Sequence, residues 1–152
     1  MAEQKKIVAT NRKAKHDYFL FDHLEAGIVL HGSEIKSIRA GRISVKEAFV
    51  QIDGKEAWLM DAHIAPYEQA SYFNHEPRRP RKLLLNRREI DHLWDEVRKK
   101  GITIIPLSVY LKNGRAKIEI AVAKGKKQYD KRQTIAKRDA ERDIERQLRQ
   151  KN

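Results

Sequence analysis

Apolar positions change period between Glu25 and Arg39. Ile28 and Leu30 alternate with Val29 and His31 at the two-residue repeat of a strand, whereas Ile35 and Ile38 stand three apart, as on one face of a helical turn. Gly32 marks the break, Ser33 is placed to accept from the free amides of the turn, and Gly41 is suited to close it in a left-handed conformation. Strand and turn are expected to share one core, with Lys36, Arg39 and Arg42 on the outer side. Downstream, 48–52 and 57–60 are apolar runs joined through Asp53-Gly54, a hairpin signal with positive φ expected at both central residues. Asn86 and Glu89 have capping-box spacing, and Ile90, Leu93, Trp94 and Val97 form a stripe that predicts a helix with Trp94 in the core, stopped by Gly101. Two further strands follow, 102–111 and 117–122, linked by Asn113-Gly114; Lys117 and Glu119 mark the wet face of the second.

Two stretches lack a period. Residues 66–82 interleave Tyr67, Tyr72 and Phe73 with Arg78, Arg79, Arg81 and Lys82 among three prolines, which predicts an extended crossing without regular pairing. Its arginines are expected on phosphates, and Tyr67 and Phe73 on the body of the protein. From Lys124 onward only Ile135, Ile144 and Leu148 are large and apolar. Three such side chains do not offset a backbone ordering entropy of about 1–2 kcal/mol per residue, so a tail that is disordered when free and helical on a partner is expected. Hairpins with one inserted helix predict a mainly β fold with some α: an OB-like antiparallel barrel over 1–123 with a basic N-terminal arm, followed by a basic tail over 124–152.

Charge narrows the function. The 152 residues carry 33 Lys+Arg against 21 Asp+Glu, a formal +12, so a polyanion is the expected partner. There is no cysteine, which excludes disulfides, thiolate metal sites and a cysteine nucleophile. No run has the length of a membrane span and none resembles a signal peptide, so no membrane partner is expected and the expected compartment is the cytoplasm. Ser33 and Lys36 have a Ser-x-x-Lys spacing without its companion motifs, and the six histidines show no metal-binding spacing. No catalytic constellation, metal site or cofactor is expected. Two rivals stay open: a ribosomal or ribosome-assembly protein of OB type, and an RNA-processing enzyme using His16 or His75 as acid and base.

Several blocks then carry a family resemblance: Asn11-Arg12-Lys13-Ala14 with His16-Asp17-Tyr18, Glu25-Ala26-Gly27, the run from Gly32 to Gly41, the run from Arg81 to Asn86, and Lys124-Gly125-Lys126-Lys127 with Asp130-Lys131-Arg132. In this order they resemble the SmpB family of SsrA-binding proteins over nearly the whole chain. The resemblance implies an OB-type barrel that binds the tRNA-like domain of transfer-messenger RNA, one protein per RNA, and brings it to stalled ribosomes. Its RNA face includes the positions of Asn11, Arg12, Lys13, Glu25 and Leu84. To these the reading of arms and loops adds Lys36, Arg39, Arg81, Lys82 and Lys124 as neighbouring RNA-binding residues. The resemblance further implies a tail that enters the decoding centre and the empty messenger channel, with Lys126, Lys127, Tyr129, Asp130, Lys131 and Arg132 engaging the ribosome. Tyr129 stands where some members carry histidine.

Overall fold

A computed structural model describes residues 5–67 and 74–126. Twelve elements are assigned among them: β1 (Lys5–Thr10), α1 (Ala14–Asp17), β2 (Tyr18–Ile28), α2 (Gly32–Arg39), β3 (Ile43–Ser44), β4 (Phe49–Asp53), β5 (Glu56–Met60), β6 (His63–Ile64), β7 (Arg81–Leu84), α3 (Arg87–Val97), β8 (Ile102–Lys112) and β9 (Arg115–Gly125). Seven strands form one antiparallel sheet in the order β1-β8-β9-β2-β7-β5-β4, and β3 pairs with β6 beside it. The sheet curls until β4, at one edge, packs against β8, next to the other. Helix α3 lies against β4, β8 and β9. The OB-like, mainly β architecture expected from the hairpins is therefore present.

The core follows from alternation. Ile38, Leu59, Ile64, Leu83, Leu93, Ile104, Ile118 and Ile120 are fully buried, each gaining about 1.5–3 kcal/mol from leaving water. Ile28 and Ile38 belong to this one cluster, so the strand and helix of the 25–39 stretch do share a core. A second, smaller cluster joins Ala14, Ile105, Leu107, Ala121 and Ala123, with Tyr18 and Leu20 packed on it. This explains the unbroken apolar run at 104–107: β8 is buried on both faces there, and β9 has a dry second face at Ala121 and Ala123.

Local chemistry bears out several elements. Asn86 Oδ1 accepts from the Glu89 amide at 2.9 Å, and Glu89 Oε1 accepts from the Asn86 amide at 2.9 Å, a complete capping box for α3. At the tip of the β8–β9 hairpin Asn113 and Gly114 have φ of 52° and 78°, the mirror-type turn expected. The β4–β5 hairpin is present but its turn differs: Asp53 pairs with Glu56, so Gly54 and Lys55 are central and only Gly54 (φ 53°) is left-handed. A Gly-X turn needs positive φ only at its first central residue.

Other expectations are corrected. The sequence predicts no strand before Glu25, yet 5–10 form an edge strand on β8, and α1 follows. The alternating strand is the eleven-residue β2, ending at Ile28, with an irregularity between Phe21 and Leu24 where Asp22 has φ 51°. Helix α2 begins at Gly32 behind His31, whose amide donates to Glu34 Oε1 at 2.8 Å. Ser33 thus lies inside the helix, bonded to His75 rather than capping. Arg81 and Lys82 open β7, which lies between β2 and β5, so regular pairing resumes directly after Pro80. Helix α3 ends at Val97, and Trp94 is 39% exposed while Ile90 and Leu93 are buried: the contact stripe is narrower than the apolar one. Strand β9 runs through Gly125, so the barrel continues past 123 and includes Lys124.

Candidate nucleic-acid interface

Directly opposed residues of an antiparallel sheet share a face. The registers place Ile7 opposite Tyr110, Tyr110 opposite Lys117, Lys117 opposite Gly27, and Gly27 opposite Leu84. One row of side chains therefore crosses five strands on the outer surface. Leu84 is 56% exposed and leans over Gly27, where an added Cβ would meet Leu84 Cδ1 at 3.2 Å. Lys5, Lys112 and Arg115 flank the row on one side, and Glu25 opposite Glu119 on the other.

Within this face Glu25 is the exception in charge. Tyr110 Oη donates to Glu25 Oε2, and Lys112 Nζ stands 3.5 Å from both carboxylate oxygens. The tyrosine bond is the main cause that holds the Glu25 carboxyl below its ordinary 4.5; partial burial opposes it, and Lys112 and Lys117 add to the lowering. Burial, the Glu25 bond and the Glu25 charge push the Tyr110 hydroxyl far above the usual phenol value. It stays protonated and donating. Lys5 Nζ lies 4.1 Å from the centre of the Tyr110 ring, so β1 fixes the ring from the other side.

The expected basic residues are distributed over more than this face. Arg12 and Lys13, both exposed, line an open depression with Thr10, Asn11, Ser44 and Lys46. Lys36 and Arg39 are exposed on α2, with Lys36 Nζ 5.4 Å from the centre of the Tyr67 ring. Lys82 lies two residues before Leu84 on β7, 3.4 Å from Glu56. Lys124 is half-buried opposite Phe19 and Ile102. Lys126 Nζ donates to the Lys15 carbonyl at 3.1 Å and stands 5.1 Å from the Phe19 ring, tying the end of β9 to α1.

Two expected surface contacts are internal. Arg81 is fully buried: its Nε meets Glu34 Oε2, its Nη1 donates to the Ala62 carbonyl at 2.8 Å and its Nη2 to the Pro77 carbonyl at 3.0 Å. Arg79 completes the group from the rim, donating through Nε to Glu34 Oε2 at 3.1 Å. A guanidinium so enclosed holds α2 to β7 and is out of reach of phosphate. Asn11 is 8% exposed, and its amide donates to the Pro106 carbonyl at 3.1 Å and the Val45 carbonyl at 3.4 Å. It sets the start of the Arg12–Lys13 segment instead of presenting its own side chain.

Residues 127–152 lie outside the described residues, and with them Lys127, Tyr129, Asp130, Lys131 and Arg132; Tyr72 and Phe73 do too. The structure adds basic groups that pattern alone did not single out: Lys5, Lys46, Lys112, Arg115 and Lys117. Lys117 was visible as the wet face of a strand, but only the register sets it beside Leu84 and Glu25. His75 is unsuited to acid–base work on RNA. It is 8% exposed, with Nδ1 2.8 Å from Ser33 Oγ and Nε2 2.8 Å from the Ile64 carbonyl, so both ring nitrogens are occupied inside the protein.

Comparison with known proteins agrees with this architecture. The family model for the SmpB protein matches residues 8–150. The SsrA-binding protein of Desulforudis audaxviator is 56% identical over 149 residues, covering 98% of this chain and 97% of its own. That of Chloroflexus aggregans is 60% identical over 146 residues, covering 95% and 92%. A solved chain from "tmRNA-SmpB: a journey to the center of the bacterial ribosome" superposes with a TM-score of 0.66 at 44% identity, over 77% of this chain and 82% of that one. Likeness of this depth, over residues 8–150, means that the chain belongs to the SmpB family of SsrA-binding proteins.

Proposed function

We propose that the protein binds the tRNA-like domain of transfer-messenger RNA with its barrel and carries that RNA to stalled ribosomes in trans-translation, as a monomer on each RNA and in the cytoplasm. The observation that carries the reading is the five-strand outer row ending on Leu84, with Lys112, Arg115 and Lys117 around a carboxylate, in a chain of this family. Cations there neutralise phosphate while an exposed leucine offers apolar contact to a sugar or base. Arg12 and Lys13 extend the same binding from the adjoining depression, and Lys36 and Arg39 from α2. The role is recognition and delivery, without catalysis. Lys126, Lys127, Tyr129, Asp130, Lys131 and Arg132 engage the decoding centre and the empty messenger channel.

Binding of a polyanion releases counterions, so log affinity for the tRNA-like RNA falls linearly with log salt, and each lost phosphate contact lowers the slope by roughly 0.7–0.9. Filter binding with Lys117→Ala and Arg12→Ala tests this: each variant is expected to bind more weakly with a shallower slope. An affinity that does not change with salt would refute the reading. For the tail, Asp130→Ala, Lys131→Ala and Arg132→Ala combined are expected to leave RNA affinity nearly unchanged and to abolish tagging on a reconstituted stalled ribosome. Normal tagging by the triple variant rules the tail role out.

A further inference from the structure

Several exposed histidines stand against carboxylates. His16 Nδ1 is 3.1 Å from Asp17 Oδ1, His23 Nδ1 is 2.9 Å from Glu119 Oε1, and His92 Nε2 is 2.9 Å from Asp22 Oδ2. Among the described residues only the last pair is joined by a third donor: an oxygen of Glu96 completes the group, and the ligand atoms of Asp22, His92 and Glu96 all lie within 4.8 Å of one another. His92 and Glu96 stand at i and i+4 on α3 and so share one face of the helix. Asp22 comes from the irregularity in β2, where the backbone turns left-handed with φ 51°. Spacing along the chain does not disclose the group, because two of its members are carboxylates and Asp22 stands 70 residues from His92.

We propose that Asp22, His92 and Glu96 form a site for a divalent transition ion of the zinc type, which ties the end of α3 to β2. One imidazole nitrogen and two carboxylates are a donor set that zinc accepts, with a fourth position left to water, whereas magnesium and calcium take oxygen donors. The chain has no cysteine to draw the ion elsewhere as a thiolate. Ligands around a tetrahedral zinc ion stand roughly 3.3 Å apart. The His92–Asp22 bond already holds two donors near that separation, and the ion takes the place of the proton between them. Glu96 closes the third side from the same helix face. Its Oε1 faces Lys99 Nζ at 3.0 Å, but the lysine is largely exposed, so that ion pair is weak, and the carboxylate keeps its other oxygen for the ion. Helix α3 packs on β4, β8 and β9, and a bound ion adds β2 to its attachments. The site lies roughly 15 Å along β2 from Gly27 and its row, so its occupancy is measurable without RNA.

The test titrates Zn²⁺ into the untagged full chain by calorimetry, with nitrogen NMR of the histidine side chains and thermal melts on the same samples. A single ion per chain is expected, with a change at His92 Nε2. The melting temperature should rise by about 5–10 °C once free Zn²⁺ exceeds the dissociation constant about a hundredfold. His92→Ala is expected to lose that uptake, and Asp22→Asn and Glu96→Gln each to weaken it about tenfold or more. Asparagine tolerates a left-handed backbone, so the first of these keeps the irregularity in β2. His23→Ala, which breaks the comparable pair on Glu119, is expected to bind as the wild type does. Melts without metal establish the folded baseline of every variant. Uptake that survives His92→Ala at undiminished affinity would make the zinc adventitious, and unaltered affinity in Glu96→Gln would reduce the group to a surface ion pair. Either result overturns the proposal, as does a wild-type chain that takes up no Zn²⁺.

Discussion

Glu34 and Arg81 are the pair on which single-residue arguments turn. Both side chains are fully buried, and together with Arg79 they join α2 to the segment that leads into β7. Removing one member leaves an uncompensated charge in the interior, which costs about 3–5 kcal/mol; replacing both with apolar residues of similar volume costs far less. Glu34→Ala is thus expected to lower the urea midpoint steeply, and Glu34→Leu with Arg81→Met to recover most of the loss. Acid acts on the same pair. Burial alone would raise the Glu34 carboxyl, but the bonds from Arg79, the His31 amide and Arg81 outweigh it and set the group below 4.5. A carboxyl depressed in the folded state contributes stability that is complete above its unfolded value and is lost as pH falls through the folded one. A pH titration of unfolding should therefore show Glu34-dependent loss beginning near 4.5 and deepening below it, absent from the double variant. Nothing in the run from Arg78 to Lys82 distinguishes the inward arginine from its neighbours. Only the strand alternation of β7, invisible in four residues after a proline, turns Arg81 in and leaves Lys82 half-buried at the surface.

At the scale of elements, what was legible is what short-range chemistry decides. The capping box of α3 and the Asn113-Gly114 turn are set by residues within three positions of one another, and both stand as read. Gly114→Ala is expected to cost about 1–2 kcal/mol in chemical denaturation, because an added Cβ meets nothing within 4 Å and the whole penalty is the left-handed backbone. What was not legible depends on partners far along the chain. The edge strand β1 is a short polar stretch with Ile7 and Val8 that pairs only because β8 offers a free edge, and its outward Ile7 is 57% exposed. Helix α3 shows the limit of a periodic stripe: eleven residues present an apolar face wider than the barrel covers, so Leu93 is fully buried and Trp94 lies at its margin. Leu93→Ala should cost about 2–5 kcal/mol. Trp94→Ala should cost clearly less, and equal losses in the same denaturation series would place Trp94 back in the core.

For the whole molecule the question is whether the barrel stands without the charged tail. Core side chains among the described residues end at Ala123, which packs with Ala14, Ile105 and Leu107 in the second cluster, and β9 needs only two more residues to complete its pairing with Tyr18. Among the described residues the last contact back to the barrel is Lys126, on the Lys15 carbonyl and the Phe19 ring. A chain ending at Lys127 therefore keeps every buried group among the described residues and is expected to melt within a few degrees of the full chain. Its RNA affinity should fall only by the long-range part of the field, since basic residues beyond 127 are partly offset by Asp130, Asp139, Glu141, Asp143 and Glu145. On the tail role proposed above, tagging on stalled ribosomes should be lost altogether, because a segment that folds on its partner spends interaction energy on its own ordering and binds weakly elsewhere. Melting curves, filter binding and a reconstituted tagging assay on the two chains separate these effects. A truncated chain that unfolds, or that loses RNA binding as completely as a variant of the Lys117 row, would mean that barrel and tail are one functional unit and that the division of labour proposed for them is wrong.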